Sequence, residues 1–239
     1  MKIALIGYGK MGKAIEEIAL QKGHTIVLII DINNAADFTA ANLNTADVAI
    51  EFTGPHSAVS NILKCIEFGV PVISGSTGWL EEWEKVAKFC KEQNGTLIYA
   101  SNYSIGVNLF FEVNKHLASI MNAYPEYEVM LKEIHHTQKK DAPSGTAITL
   151  ADQVLNNLSR KNKWVNEAQI NNNNEITIIS ERIDPAPGTH HVKYSSTIDD
   201  IETIHTAHNR IGFAGGAIKA AEFAIGKKGI FGMKEVLDL

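Results

Sequence analysis

The sequence of 239 residues is poor in cysteine, with only Cys65 and Cys90, and both lie in segments with helical periodicity. Two cysteines without a repeated spacing argue against a disulfide framework and a structural zinc site, so we expect free thiols in a reducing compartment and no metal ion. No apolar run approaches the roughly 20 residues that a transmembrane helix needs. The apolar run at residues 3–6 is soon interrupted by glycines and charged residues, which is unlike a secretory signal. We therefore expect a cytoplasmic protein.

Positive charge is also scarce, because 22 lysines and arginines stand against 27 aspartates and glutamates, for a formal net charge of −5. A general nucleic-acid binder neutralises phosphates with a basic surface, so this composition argues against one. A local basic pocket for a small anion remains compatible with it. Hydrophobic residues make up 45% of the chain, which is enough to form a core.

Apolar runs alternate with amphipathic segments through the first hundred residues. Short apolar or β-branched runs predict buried strands, and apolar residues spaced three and four apart predict helices. This alternation predicts βαβ units that build a parallel sheet covered on both faces. The predicted strands span residues 3–6, 25–30, 48–53, 70–75 and 96–101, and the predicted helices span residues 11–20, 57–68 and 81–93.

The pattern changes after about residue 105, where a longer helix is predicted over residues 107–121. Segments beyond residue 126 alternate polar and apolar residues, which predicts strands with one solvated face. The clearest example is a hairpin with its turn at Asp199 and Asp200. A polar loop is expected over residues 171–174, and a last apolar helix over residues 213–225.

We therefore predict an α/β protein of two domains. A Rossmann-like, doubly wound parallel sheet over residues 1–105, completed by residues 212–239, would bind a dinucleotide. An α+β domain over residues 106–211, with a mixed or antiparallel sheet, would bind substrate and form the oligomer. We expect hinges near residues 103–107 and 208–212.

A Gly-x-Gly-x-x-Gly motif at residues 7–12 follows the first predicted strand and opens the first predicted helix. Its glycines allow a tight turn and bring backbone N–H groups close to a pyrophosphate, and the helix N-terminus adds partial positive charge. Asp31 ends the second predicted strand, where a carboxylate can accept hydrogen bonds from a ribose diol. The alternative is a glycine-rich turn without a ligand.

Asp31 also bears on the choice of cofactor, because a carboxylate suits the 2′-hydroxyl of NADH and repels the 2′-phosphate of NADPH. Residue 32 is isoleucine, so no adjacent arginine offsets this repulsion, and Lys10 could offset only part of it. We expect NADH to be preferred, with NADPH as the alternative.

Small and polar residues follow two further predicted strands, at residues 75–78 and 100–103. Ligands of such sheets bind in the crevice at the carboxyl ends of the strands, so both segments are candidates for cofactor contacts. A plain strand-to-helix turn is the alternative for the first segment. In the second segment, Tyr103 could lie near the nicotinamide or belong to the core.

Residues 133–147 carry the densest group of reactive side chains, with two histidines, two lysines and a Ser-Gly-Thr helix start after Pro143. Histidines exchange protons near neutral pH, lysines offer charge, and a helix start can hold an anion. Each feature has an ordinary alternative, since adjacent strand residues face opposite sides, lysine pairs are often solvated, and residues 141–144 could only cap a helix. Together they indicate a pocket for a carboxylate substrate that needs a proton.

This segment closely resembles the signature of the dihydrodipicolinate reductase family. The resemblance extends to residues 7–12, 52–55, 75–78, 102–108 and 229–237 and to Arg210. It implies reduction of a cyclic imine dicarboxylate by NADH or NADPH on the lysine and diaminopimelate route. It also implies a homotetramer assembled through the sheet of the second domain.

The resemblance assigns roles residue by residue. His135 is implied as proton donor and acceptor, and Lys139 as proton donor. The implied substrate-binding residues are His136, Lys139, Ser144, Gly145 and Thr146. The implied cofactor-binding residues are Gly7, Tyr8, Gly9, Lys10, Met11, Gly12, Asp31, Gly75, Ser76, Thr77, Ala100, Ser101, Asn102, Tyr103 and Arg210.

Three departures from the family pattern concern the cofactor and the oligomer. The glycine loop is one residue shorter than in many members, Ile32 replaces a basic residue, and the loop over residues 187–204 is shorter than in longer members. Two other functions stay open. A related Rossmann amino-acid dehydrogenase would lack the His-His-x-x-Lys run, and a non-catalytic dinucleotide sensor would bind NADH without oxidising it.

Overall fold

The computed structural model describes residues 1–167, 173–209 and 211–239. Arg210 and part of the polar loop expected over residues 171–174 lie outside the described residues. The chain divides into two units, one formed by Met1–Ile105 with Arg210–Leu239 and the other by Gly106–Asn209. Among the described residues, none of the helices has both the length and the apolar character needed to span a membrane.

Strands and helices alternate along most of the chain. The strands are β1 (Lys2–Ile6), β2 (Thr25–Ile30), β3 (Val48–Glu51), β4 (Val72–Ser74), β5 (Thr96–Tyr99), β6 (Glu128–His135), β7 (Lys163–Asn166), β8 (Glu175–Arg182), β9 (Gly188–Ser195), β10 (Asp200–Ala207) and β11 (Gly229–Phe231). The helices are α1 (Lys10–Gln21), α2 (Ala40–Leu43), α3 (Pro55–Glu67), α4 (Trp83–Glu92), α5 (Ile105–Met121), α6 (Gly145–Asn157), α7 (Ile211–Ala224) and α8 (Met233–Leu237).

The first unit contains a six-stranded parallel sheet in the order β11-β5-β4-β3-β1-β2. Successive strand residues point to opposite faces, and the sheet therefore has two cores. Ile3 and Leu5 pack with α1, α7 and α8 on one face, whereas Ala4 and Ile6 pack with α3 and α4 on the other. The predicted doubly wound parallel sheet is confirmed.

Strand β2 differs from the prediction of a second buried strand, because its residues Thr25 to Ile29 are half-buried or exposed. It lies at the edge of the sheet and pairs only with β1. Its carboxyl end is nevertheless aligned with the glycine motif, since Ile6 pairs with both Ile30 and Glu51. Residues that follow β1, β2 and β3 are thus brought to one edge.

The second unit contains a five-stranded mixed sheet in the order β10-β9-β6-β8-β7. Strand β6 is antiparallel to β9 and parallel to β8, and β9 and β10 form the predicted hairpin. Helices α5 and α6 cover one face through a core that includes Phe110, Leu131, Leu150, Val154 and Tyr194. The predicted second domain class, α+β with a mixed sheet, is confirmed.

Candidate active site

The glycine motif forms a tight turn between β1 and α1 that only glycine can occupy at two positions. Gly7 has a φ of +96°, and a Cβ on it would lie 2.2 Å from the carbonyl oxygen of Phe52. A Cβ on Gly12 would lie 2.3 Å from the carbonyl oxygen of Gly7. By contrast, Gly9 at the start of α1 has nothing within 4 Å of a built Cβ. The backbone is thus closely packed at Gly7 and Gly12 but open at Gly9, where α1 starts. An open helix start of this kind fits a pyrophosphate.

A cavity of about 700 Å³ adjoins this turn. Among the described residues, its wall includes Gly7, Tyr8, Gly9 and Asp31 of the predicted cofactor positions. The wall does not include Lys10, Met11 or Gly12, nor the segments 75–77 and 100–103. Its volume is typical of a small-molecule site, and the residues present therefore fit part of a dinucleotide.

The loop after β2 holds Asp31 through two asparagines. Asp31 Oδ1 accepts a hydrogen bond from the Asn33 backbone N–H at 2.7 Å, and Asn34 Oδ1 accepts one from the Asp31 N–H at 2.7 Å. Asn34 also donates to the Ile29 carbonyl at 2.8 Å. Sequence reasoning missed both asparagines, although such short local hydrogen bonds are typical of the residue type.

Helix α3 contributes several residues to the lining of the cavity. Ser57, Asn61 and Lys64 lie four and three residues apart on one face of the helix and line the cavity. The Lys64 ammonium lies 5.1 Å from the centre of the Phe38 ring, which also lines it. Lys64 is thus a cation in this lining, and the sequence analysis did not identify it.

Residues 75 and 76 contact Phe52 and Thr53, two residues that line the cavity. A Cβ on Gly75 would lie 2.1 Å from the Phe52 ring, so the close packing requires glycine. Ser76 Oγ donates to the buried carboxylate of Glu51 at 2.8 Å and accepts from the Thr53 N–H at 2.9 Å. Glu51, which sequence reasoning missed, thus ties two strand ends together, and Thr77 beside them is exposed.

Tyr103 lies in the core of the first unit. It is fully buried, and its hydroxyl donates to the carbonyls of Ser74 and Ile98 at 2.9 and 3.0 Å. Burial raises the pKa of Tyr103 well above its usual value. In the same segment Asn102 accepts a hydrogen bond from the Ser104 N–H, Ala100 is half-buried and Ser101 is exposed.

In the second unit, Glu133 and His135 lie on the same buried face of β6. Glu133 is fully buried, and its Oε1 accepts three hydrogen bonds, from Ser144 N at 3.0 Å, Ser180 Oγ at 2.8 Å and Arg182 Nη2 at 3.1 Å. Its Oε2 lies 3.2 Å from His135 Nδ1. Burial alone would raise the pKa of Glu133, but these four partners together hold it well below its usual range. We call this the Glu133 network.

His135 is the last residue of β6, and His136 follows the strand. His135 is buried and His136 is half-buried. A Cβ on Gly188 would lie only 3.1 Å from His135 Nε2. The side of the ring that carries Nε2 therefore depends on glycine at position 188.

His190 packs against His135 with the ring centres 5.1 Å apart, and its Nε2 lies 3.1 Å from Ser144 Oγ. Burial, and next the neighbouring His135, lower the pKa of His190 to about 3. Donor atoms of Glu133, His135 and His190 lie within 4.8 Å of one another. Arg182 already supplies the positive charge that a metal ion would bring to this carboxylate.

Lys139 and the start of α6 complete the group of predicted residues in this unit. Lys139 Nζ forms an ion pair with Asp141 at 2.8 Å and is partly exposed, whereas Lys140 is exposed. Ser144 is the N-cap of α6, and its Oγ accepts from the Ala147 N–H at 3.2 Å. Gly145, the first residue of the helix, has nothing within 4 Å of a built Cβ, and Thr146 follows it. An anion can therefore approach this helix start.

Comparisons with known proteins agree with this arrangement. Family models described as the N-terminus and the C-terminus of dihydrodipicolinate reductase match residues 1–103 and 106–237. A 4-hydroxy-tetrahydrodipicolinate reductase of Christiangramia forsetii is 48% identical over all of this chain and 98% of its own. One from Neisseria meningitidis is 32% identical over 94% of this chain and 84% of its own.

Among solved structures, a dipicolinate-bound dihydrodipicolinate reductase from Paenisporosarcina has a TM-score of 0.76. It is 22% identical, covers 97% of each chain, and supports the fold. The resemblance seen in the sequence is confirmed by the family models and by the sequence relatives. The chain belongs to the dihydrodipicolinate reductase family.

Proposed function

We propose that the chain reduces 4-hydroxy-tetrahydrodipicolinate with NADH or NADPH, in the biosynthesis of diaminopimelate and lysine. The curated relatives that carry this name, one of them 48% identical over the whole chain, support this assignment. The observation in this molecule that best supports it is that His135, the Lys139 loop and the α6 start are all connected to one buried carboxylate, that of Glu133.

The cofactor would be held by the first unit. Backbone N–H groups of residues 7–12 at the start of α1 would bind the pyrophosphate, and Asp31 would accept hydrogen bonds from the adenosine ribose. When bound, the reduced nicotinamide supplies a hydride. The carboxylate of Asp31 beside the uncharged Ile32 favours NADH, and we propose NADH as the preferred cofactor. Arg210 remains part of the proposal from the family pattern alone.

The substrate dicarboxylate would be held by the second unit. The helix start at Ser144, Gly145 and Thr146 would bind one carboxylate, and His136 and Lys139 would contact the substrate as well. Negative charge develops on the ring as hydride arrives, and His135 Nε2 or Lys139 Nζ would supply the proton. A positioned acid of this kind contributes roughly 10²–10⁴-fold in rate.

Location and assembly belong to the proposal too. Two buried free thiols suit a reducing compartment such as the cytoplasm. A homotetramer assembled through the sheet of the second unit is proposed from the family pattern alone. Sedimentation of the purified chain measures its assembly directly.

A coupled assay tests the proposed reaction. Pyruvate and aspartate semialdehyde are condensed by the upstream enzyme, and the loss of NADH and of NADPH is followed separately after this protein is added. Oxidation that depends on the condensation product supports the proposal. Binding of NADH without oxidation would favour a dinucleotide sensor, and oxidation with a different amino-acid precursor would favour a related dehydrogenase.

A further inference from the structure

The Glu133 carboxylate is linked to three parts of the candidate site of the second unit, namely His135, the α6 start and, through Arg182, the Lys139 loop. Its Oε1 accepts the Ser144 N–H at the start of α6. The same oxygen accepts from Arg182, whose guanidinium also donates to the carbonyls of Lys139 and Asp141 at 3.3 and 2.5 Å. The anion-binding helix start and the Lys139 loop are therefore both anchored on one oxygen.

The second oxygen of Glu133 faces a single ring. Oε2 lies 3.2 Å from His135 Nδ1, and among the described residues neither of these buried atoms makes a hydrogen bond. His190 Nε2 is farther away, at 3.9 Å. Buried polar atoms favour a partner and a carboxylate can only accept, so a hydrogen bond that satisfies both atoms places the hydrogen of a neutral His135 on Nδ1.

A hydrogen on Nδ1 leaves the lone pair of His135 on Nε2, the atom for which Gly188 leaves room. When His135 acts as an acid, Nε2 gives its proton to the substrate and Nδ1 keeps the hydrogen that faces Glu133. Carboxylates orient catalytic histidines in this way in other enzymes, where the wrong tautomer reduces turnover by about 10⁴-fold.

We propose that Glu133 is the positioning residue of this site, which fixes His135 in its Nδ1–H tautomer and holds the Lys139 loop and the α6 start around it. This inference rests on the proposed reduction, because it concerns the residues that would bind and protonate the substrate. Glu133 itself is too deeply buried to touch the substrate.

Glu133→Gln tests the proposal with little change in shape. The amide oxygen can replace Oε1 and keep the hydrogen bonds from Ser144, Ser180 and Arg182. The amide nitrogen then stands at Oε2 and donates towards His135 Nδ1, which requires the opposite tautomer. Glu181→Gln is the matched control, because Glu181 lies on the neighbouring strand in a half-buried ion pair with Lys132 at 2.7 Å.

Three measurements are made on the full-length protein. The first is the tautomer of His135, from ¹H–¹⁵N correlation spectra of the imidazoles at mildly alkaline pH, with the signals assigned by their loss in His135→Gln. The second is the affinity for dipicolinate by calorimetry. The third is kcat and KM in the coupled assay.

We expect Nδ1–H in the wild type and Nε2–H in Glu133→Gln. Turnover of Glu133→Gln should fall at least about 10²-fold, as for loss of a positioned acid. The dissociation constant for dipicolinate should change by less than about threefold, because contacts that bind the ground state are kept. Glu181→Gln should match the wild type in all three measurements.

Other outcomes would overturn the inference. A wild-type His135 in the Nε2–H form contradicts it, even if Glu133→Gln fails to fold. An unchanged kcat in a folded Glu133→Gln, or a joint loss of turnover and dipicolinate binding with the tautomer unchanged, would reduce Glu133 to a structural role. A wild type that never oxidises cofactor defeats the proposed function instead, and the tautomer measurement still decides the role of Glu133.

Discussion

Asp31→Asn should reverse the cofactor preference, because the carboxylate lines the cavity and Ile32 beside it carries no charge. The amide keeps an oxygen for the Asn33 N–H, so the loop that presents residue 31 should survive the change. The substitution removes the negative charge from the side chain that accepts hydrogen bonds from the ribose hydroxyls. A hydrogen bond to a charged group contributes about 1.5–3 kcal/mol, and a neutral one about 1 kcal/mol. The affinity for NADH should therefore fall about tenfold.

The 2′-phosphate of NADPH gains from the same change. Two unit charges about 5 Å apart repel by about 1–3 kcal/mol at effective dielectric constants between 80 and 20. Removing the Asp31 charge should strengthen NADPH binding by that amount, and Lys64 remains as a cation in the lining of the cavity. The ratio of the two affinities should change by roughly 10²-fold.

Fluorescence titration with NADH and NADPH separately measures both affinities without any substrate. Asp37→Asn provides the control, because the substitution removes the same charge six positions further along the chain. Asp37 is exposed and does not line the cavity. Equal effects of Asp31→Asn on the two cofactors would refute the reasoning. So would an equal change of the affinity ratio in Asp37→Asn, since net charge alone would then explain it.

Three further predictions concern Lys139, His190 and Gly12. Lys139→Met should lower kcat by about 10²-fold or more while the affinity for NADH is kept. The control variant Lys140→Met should have a kcat close to that of the wild type. Similar losses of kcat in both variants would contradict a special role of Lys139. The pKa of His190 is about 3 in the folded protein, whereas in the unfolded chain the imidazole protonates below about pH 6.5. Unfolding between these two pH values therefore takes up a proton, and the free energy of unfolding should fall from pH 6.5 towards pH 3. Urea denaturation of His190→Asn should show a flatter fall, and an unchanged slope would contradict this. Gly12→Ala should cost about 1–3 kcal/mol of stability through the clash with Gly7, whereas Gly9→Ala should cost little; equal melting temperatures would refute the packing argument.

Much of the fold could be predicted because its signals are local. The first five strands are short apolar or β-branched runs, and the predicted helices between them carry a period of three to four residues. The structure has all of these predicted elements within a few residues of the predicted bounds. Strand β11 was missed because only two apolar residues, Ile230 and Phe231, stand between two glycines, which is too short an apolar run to predict a strand. Strands β7 and β8 were missed because their pairing with each other and with β6 depends on partners far away in sequence.

In the candidate site, too, the residues with local sequence signals were predicted, and those that depend on distant partners were missed. His135, Lys139 and Ser144 were found because they fall within one short segment whose residue types indicate a chemistry. Glu133 lies in that segment too, but its role depends on Ser180 and Arg182, which are 47 and 49 residues away. No spacing in the sequence indicates that these side chains meet. Lys64 was missed for a similar reason, since only the fold brings α3 to the loop after β2.

The first unit is made from two separated stretches of chain, and this determines the order in which a ribosome can deliver its parts. When residues 1–105 have emerged, β1, β3, β4 and β5 are present, but α7 and α8, which cover one face of the sheet, are still to be synthesised. The part of that face that α1 does not cover must remain without these helices while 104 further residues, Gly106–Asn209, are translated. Nascent chains stalled within this interval are therefore the forms of this protein that most need a chaperone.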